Sequence, residues 1–281
     1  MRSLLSYMDV AREFLVETSK NFEPRSPWKE RFEAYRTFCL ALKMLAYGKL
    51  LAQSDVSGFF LNLSRAAANW RQMLAQFREE GLSHQVPASM NDSLLEAIVC
   101  RQIGLASEIA EMSARELTQP EYEDEFYGAF FLQEYVRSRF GQVRDTANLQ
   151  DICQRIDGYL GEQTSRTSVY RALADKDWVG FEASFKDWNE LTASELSEPN
   201  APGATFSTGI TRHIWLEGLA ILQLAREAGC PLRPELRPLL PETGRPVHAV
   251  VAGRCSANTH RIAHQSSKLR RATPLAGAPA P

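Results

Sequence analysis

From Ser3 to Ala228, apolar residues recur at intervals of three to four, and runs that alternate apolar with polar are scarce. The first spacing collects side chains on one face of a helix. Alternation is what a half-buried strand needs. A chain with the first pattern and not the second must bury helix against helix, so the expected fold class is all-α: a multi-helix bundle of antiparallel helix pairs, about nine helices in number.

Punctuation sets the expected boundaries. The first helix runs from about Ser3 to Lys20, and the two prolines of Asn21–Pro27 end it. Pro27 opens the second, with an apolar stripe of Phe32, Tyr35, Cys39, Leu42 and Leu45, because a first-turn proline forfeits no hydrogen bond. Ser54 or Asp55 caps the third, whose stripe is Phe59, Leu63, Ala67, Trp70, Leu74 and Phe77, and Gly81 closes it. Asn91 or Asp92 caps a fourth, predicted as one helix from Ser93 to Leu117. Pro120 opens the fifth, with Phe126, Phe130 or Phe131, Tyr135, Val136 and Phe140 as its apolar face and Gly141 as its stop. A sixth covers Asn148 to Leu160, a seventh Ser168 to Ala174, and an eighth begins at Asp175 or Asp177. A loop rich in turn residues then leads to a ninth, Ile210 to Ala228.

Beyond Gly244 the chain changes character. Residues 245–281 carry six basic residues (Arg245, Arg254, Arg261, Lys268, Arg270, Arg271), no acid, and an Ala/Pro/Gly ending. The expected organisation is an all-helical domain over 1–244 and a basic, low-complexity, disordered tail over 245–281. His248–Gly253 is the one stretch there with strand character. Removing the tail's six cations from the total of 32 leaves 26 against 34 acids over 1–244, a net of −8. Such a body does not suit non-specific nucleic-acid binding, which depends on neutralising phosphates. It suits either simple solubility or a basic protein partner.

The five cysteines (Cys39, Cys100, Cys153, Cys230, Cys255) are odd in number and widely spaced, with no CxxC pair. They read as free thiols in a reducing compartment rather than a disulfide or zinc framework. Acids within the first helix exclude a signal peptide, and no apolar run approaches the ~20 residues that span a bilayer. The expected location is the cytoplasm, with no membrane partner.

Catalytic signatures are missing: there is no GxSxG, HExxH, Walker A loop or GxGxxG. His260 and His264 have the i, i+4 spacing of a metal pair, but no acid or cysteine cluster completes a site. His213 and Glu217 have the same spacing. They form either an acid/base dyad or a hydrogen-bonded pair that holds two helices in register, and the second needs no third group. No catalytic residue, cofactor or metal is assigned. The most acidic window, Glu121, Tyr122, Glu123, Asp124 and Glu125, complements the dipole of the helix it opens. It also mixes acids with aromatics, as a protein interface does. These five residues are the candidate partner-binding set. Trp178, Phe181, Phe185 and Trp188 share one helical stripe, which reads as core.

The run Ile214-Trp215-Leu216-Glu217-Gly218-Leu219-Ala220-Ile221-Leu222-Gln223-Leu224-Ala225 resembles the C-terminal signature of the immunity protein 49 family. Gly229 and the prolines Pro231, Pro234, Pro238 and Pro241 match the glycine and proline-bearing exit of that signature. Upstream, the Arg171–Trp178 element, an aromatic helix and a loop repeat the layout. The resemblance covers about half of the chain, Glu121 to Glu242. It implies an all-helical immunity protein of a bacterial polymorphic-toxin system, which binds a cognate toxin domain and blocks it without catalysis, and the acidic body suits a basic toxin domain. The family supplies no toxin-binding residues to carry over. Trp215, Glu217 and Gly218 match its signature as structural residues, with Glu217 expected to be a buried carboxylate paired with an arginine of a neighbouring helix. A helical scaffold that binds another protein or a peptide, and an enzyme built on His213 and Glu217, are the competing readings.

Overall fold

The computed structural model describes residues 4–118, 121–141, 147–197 and 214–232. All of them belong to one compact unit, Met1–Glu242. Among the described residues every regular element is helical. The α-helices are α1 (Leu4–Asn21), α2 (Trp28–Gln53), α3 (Val56–Glu79), α4 (Asp92–Val99), α5 (Ile103–Met112), α6 (Glu123–Phe140), α7 (Leu149–Leu160), α8 (Ser165–Asp175), α9 (Trp178–Ser197) and α10 (Leu216–Glu227), with a short 3-10 turn at Ser83–Gln85. The tail over 245–281, its histidines, His213, and the prolines Pro120, Pro234, Pro238 and Pro241 lie outside the described residues.

Neighbours in sequence are neighbours in space. α1 packs on α2, α2 on α3, and α5 through α9 each pack on the helix before. Connections as short as Ser54–Asp55 reverse the chain and enforce such pairs. Two pairs depart from this order: α5 also packs on α3, and α10 returns to pack against α4. The core lies along most of the predicted stripes, with Tyr35, Leu45 and Phe140 only half-buried. All six stripe residues of α3 are buried, and full burial of a side chain of this size stabilises by about 1.5–3 kcal/mol. On α6 the chain resolves the Phe130/Phe131 alternative: Phe131 is fully buried, and Phe130 is half-buried. Phe181 and Phe185 are core, as expected, whereas Trp178 and Trp188 lie at its edge.

Caps explain several boundaries. Asp55 accepts a hydrogen bond from Gly58 N at 2.7 Å, and Asn148 accepts one from Gln150 N at 3.0 Å. Thr164 and Thr167 form a reciprocal capping box, which starts α8 at Ser165 rather than at the expected Ser168. Gly229, at φ +94°, ends α10 in a conformation that only glycine adopts cheaply.

Two expectations are corrected. The single helix predicted over Ser93–Leu117 is two, α4 and α5. Arg101 takes a left-handed turn (φ +58°), and the amides of Arg101 and Gln102 donate to Ile98 O and Ala97 O at 2.8 and 2.9 Å. Tertiary contacts hold this break. The Gln102 side chain reaches Ser64 Oγ on α3 at 3.1 Å, and Arg101 lies 3.5 Å from Glu227 on α10. The last helix also starts later than predicted, at Leu216, with Trp215 as its cap residue and Ile214 before it.

Candidate functional site

The Ile214–Ala225 segment enters α10 through Trp215. Its indole lies 5.4 Å from the Phe185 ring, nearly parallel, and 4.7 Å from Trp188, edge-on. It also lies directly over Gly218, where a Cβ would intrude into the indole. The glycine is therefore a seat for the ring. One residue earlier, Glu217 Oε1 accepts hydrogen bonds from Arg166 Nη2 (2.8 Å), Arg166 Nε (3.2 Å) and Tyr170 Oη (2.7 Å), all from α8. The expected arginine partner is present, but the carboxylate is half-buried rather than buried. The side chains of Arg166 and Glu217 retain 29% and 22% exposure.

The same cluster extends into α6. The Tyr170 ring stacks on Phe131 at 4.2 Å. Gly128 lies so close to Arg166 that a Cβ there would stand 2.5 Å from Nη2. Burial opposes the Arg166 charge, but Tyr170 and Glu217 outweigh it and hold the guanidinium above its ordinary pKa. Burial drives the Tyr170 phenol well above its usual range. The charged arginine, the phenol and the carboxylate they share form a strut between α8 and α10.

The acidic window divides in two. Glu121 is already engaged: Oε1 accepts from Ser89 N at 2.7 Å, and Oε2 accepts from Thr118 N at 3.0 Å and Thr118 Oγ1 at 2.5 Å. It pins the turn before α4 to the approach to α6. Gln133 Nε2 adds a second tie, donating to Ala88 O at 3.1 Å. Glu123 and Glu125 are exposed, Asp124 is half-buried, and Tyr122 is 65% exposed. These four stand in the first turn of α6 and just before it, with an aromatic ring and carboxylates open to solvent.

Sequence reasoning missed a second site. A pocket of about 570 Å³ opens between α2, α3 and α4. Arg36, Cys39 and Lys43 of α2, Trp70 of α3, and Asp92 and Glu96 of α4 line it, together with Ser89 and Met90 of the preceding turn. Lys43 pairs with Asp92. Glu96 is 1% exposed, and its Oε2 has no hydrogen-bond partner. Burial pushes the Glu96 carboxyl well above the ordinary range, with Lys43 opposing the shift and Asp92 adding to it. Burial also tends to neutralise Lys43, but Asp92 and Glu96 outweigh it and keep the ammonium charged. A glutamate inside the apolar stripe of α4 was the available signal.

No family model, curated protein or solved structure matches the chain. The described residues hold no group of three His, Cys, Asp or Glu side chains able to bind a metal, and no helix among them is long and apolar enough to cross a membrane. The four described cysteines are buried and unpaired with one another.

Proposed function

We propose that this chain is a toxin-neutralising immunity protein, which binds a cognate toxin domain in the bacterial cytoplasm and occludes it without catalysis. The observation that carries the reading is the division of labour between the signature and the surface. Trp215, Glu217 and Gly218 are all spent on fixing α10 to α8 and α9. A shared family framework would keep such residues while the partner-facing surface varies. The exposed group Tyr122, Glu123 and Glu125 on an acidic body supplies that surface, and it favours a basic partner.

The test is co-expression and pull-down with the product of the neighbouring open reading frame. A stoichiometric complex that relieves the toxicity of that product is expected, and no complex would refute the reading. In the complex, Glu123→Ala with Glu125→Ala should slow association about threefold to tenfold at low salt and leave the dissociation rate nearly unchanged, because rim charges steer encounter more than they hold the bound state. An unchanged association rate would move the surface elsewhere.

A further inference from the structure

The pocket between α2, α3 and α4 is unused by the strut at Glu217 and by the acidic edge, and one acid that lines it has an unpartnered oxygen. Arg36 is held by Glu33 at 2.9 Å, and Lys43 by Asp92. Both cations that line the pocket therefore already have an acid. Glu96 receives a hydrogen bond from Ser93, while its Oε2 is buried and unpartnered. Leaving a carboxyl oxygen without a partner in a site of low polarity is costly, so the group that completes the pocket must bring a donor or a positive charge. An anion would bring the opposite of what the pocket lacks. A bare metal ion would find too few ligands. The remaining wall is apolar or polarisable: Trp70, Leu40, Met90 and the Cys39 thiol. Indoles attract organic cations, and a volume of about 570 Å³ has room for the stem of such a group as well as its head.

We propose that this pocket binds an alkylguanidinium or alkylammonium group, its cation paired with Glu96 and its stem against Trp70, Leu40 and Met90. The titratable groups coupled to Glu96 are Cys39, Lys43 and Tyr47 of α2, and Asp92 and Cys100 at the two ends of α4. On α10, which packs against α4, Glu227 is engaged by Gln223 and Arg101. Burial favours the protonated form of Glu96, and an incoming cation favours the carboxylate. Two sources share this chemistry: a free amine or guanidine, and a lysine or arginine side chain of a protein partner. The second rests on the toxin-binding reading. It has a structural route, because Glu121 grips Ser89 and sets the acidic edge of α6 beside the turn that lines the pocket.

The test uses the full chain labelled at its methionine methyl groups, with the Met90 resonance assigned by Met90→Leu. n-Butylguanidinium is titrated at about pH 8 and about pH 6, with butyrate as the anionic control. Saturable movement of the Met90 signal is expected with the cation and not with butyrate, and affinity should be lower at the lower pH. Glu96→Gln, which keeps the shape of the protonated acid, should weaken binding at least about tenfold. Thr37→Trp, at the half-buried rim, should block binding in a protein that still folds. No saturable shift in the unmodified chain, equal affinity in Glu96→Gln, or an equal response to butyrate would overturn the proposal. A cognate toxin that displaces the probe identifies the occupant as one of its own side chains. A toxin that binds without displacing it leaves the pocket to a free amine or guanidine. Failure to find a toxin at all refutes the functional reading alone, since the probe titration needs no partner.

Discussion

Substituting Gly218 by alanine tests the architecture of the signature through the sign of its effect. In an unobstructed helix, glycine to alanine stabilises by about 0.5–1 kcal/mol, because alanine loses less backbone entropy on folding. At Gly218 the new Cβ would stand 2.5 Å from Cδ2 and Cζ3 of the Trp215 indole, and nearer still to Cε3. The ring cannot simply withdraw, since Phe185 and Trp188 hold it at 5.4 and 4.7 Å. Overpacking of this kind costs about 1–3 kcal/mol, and a weakened aromatic pair adds about 0.5–1.5. Set against the helix gain, the net expectation is a loss of about 1–3 kcal/mol, or a melting temperature lower by roughly 2–12 °C. Urea unfolding with an unchanged m-value reads this directly. Gly158→Ala is the internal control. It lies within α7, where a Cβ would meet nothing within 4 Å, and should stabilise by about 0.5–1 kcal/mol. In a Trp215→Ala background the obstruction is gone, and Gly218→Ala should turn from destabilising to stabilising. If Gly218→Ala is neutral or stabilising with Trp215 present, the indole does not rest on this glycine and the account of the signature fails.

Glu217→Ala leaves Arg166 and Tyr170 without their shared acceptor. A fully buried pair would cost about 3–5 kcal/mol to break, and the residual exposure of both partners lowers the expectation to about 1.5–3 kcal/mol in urea unfolding. A cost below about 0.5 kcal/mol would mean that solvent already screens the strut. The raised carboxyl of Glu96 gives a pH dependence of definite sign: the folded state binds the proton more tightly, so this contribution to stability is complete below the ordinary glutamate range and is lost as pH rises toward the folded-state value. Glu96→Gln should flatten that part of the stability–pH profile, and an unchanged profile would place the origin elsewhere. Burial pushes the thiols of Cys100 and Cys153 up to about 12 and that of Cys230 to about 11. In a Cys255→Ser variant, thiol-specific alkylation of the native protein should therefore proceed only as fast as unfolding, and rapid labelling by intact-mass spectrometry would contradict the burial.

The fold was legible because helix periodicity and caps are local signals. The stripe of α3, the Asp55 and Asn148 caps and the glycine stops all act within a few residues of sequence. The break between α4 and α5 was not legible, because nothing at Cys100–Gln102 is a helix breaker. Arg101 turns left-handed because Ser64 and Glu227, distant in sequence, hold its surroundings. The start of α10 was misplaced for a similar reason. Ile214 and Trp215 continue the apolar pattern, but the aromatic surface of α9 takes Trp215 out of the helix to serve as a wedge. At the level of sites, an acidic first turn can be read from sequence, but its division into a committed Glu121 and an open Glu123 and Glu125 depends on where Ser89 and Thr118 lie. The pocket was still less visible. Lys43 and Glu96 are far apart in the chain, and only the packing of α2, α3 and α4 brings them to one cavity.

This geometry separates two kinds of residue that sequence places together. α10 touches α4 on one side, and through Glu217 and Trp215 it reaches α8 and α9, so it joins the middle of the chain to its later helices. A residue in that position affects partner binding only by way of the whole scaffold, and loss of binding must then follow loss of stability. Glu123 and Glu125 touch solvent, and Glu96 lines a pocket whose walls belong to α2, α3 and α4. Changes there alter charge at a surface or a cavity and leave the strut of α10 in place. Surface and framework can therefore vary independently in this fold, as the proposed toxin-binding role requires. If the chain binds a toxin as proposed, the partner-facing chemistry should be sought along the α4–α6 edge, where the acidic turn and the pocket meet at Ser89, and not in α10.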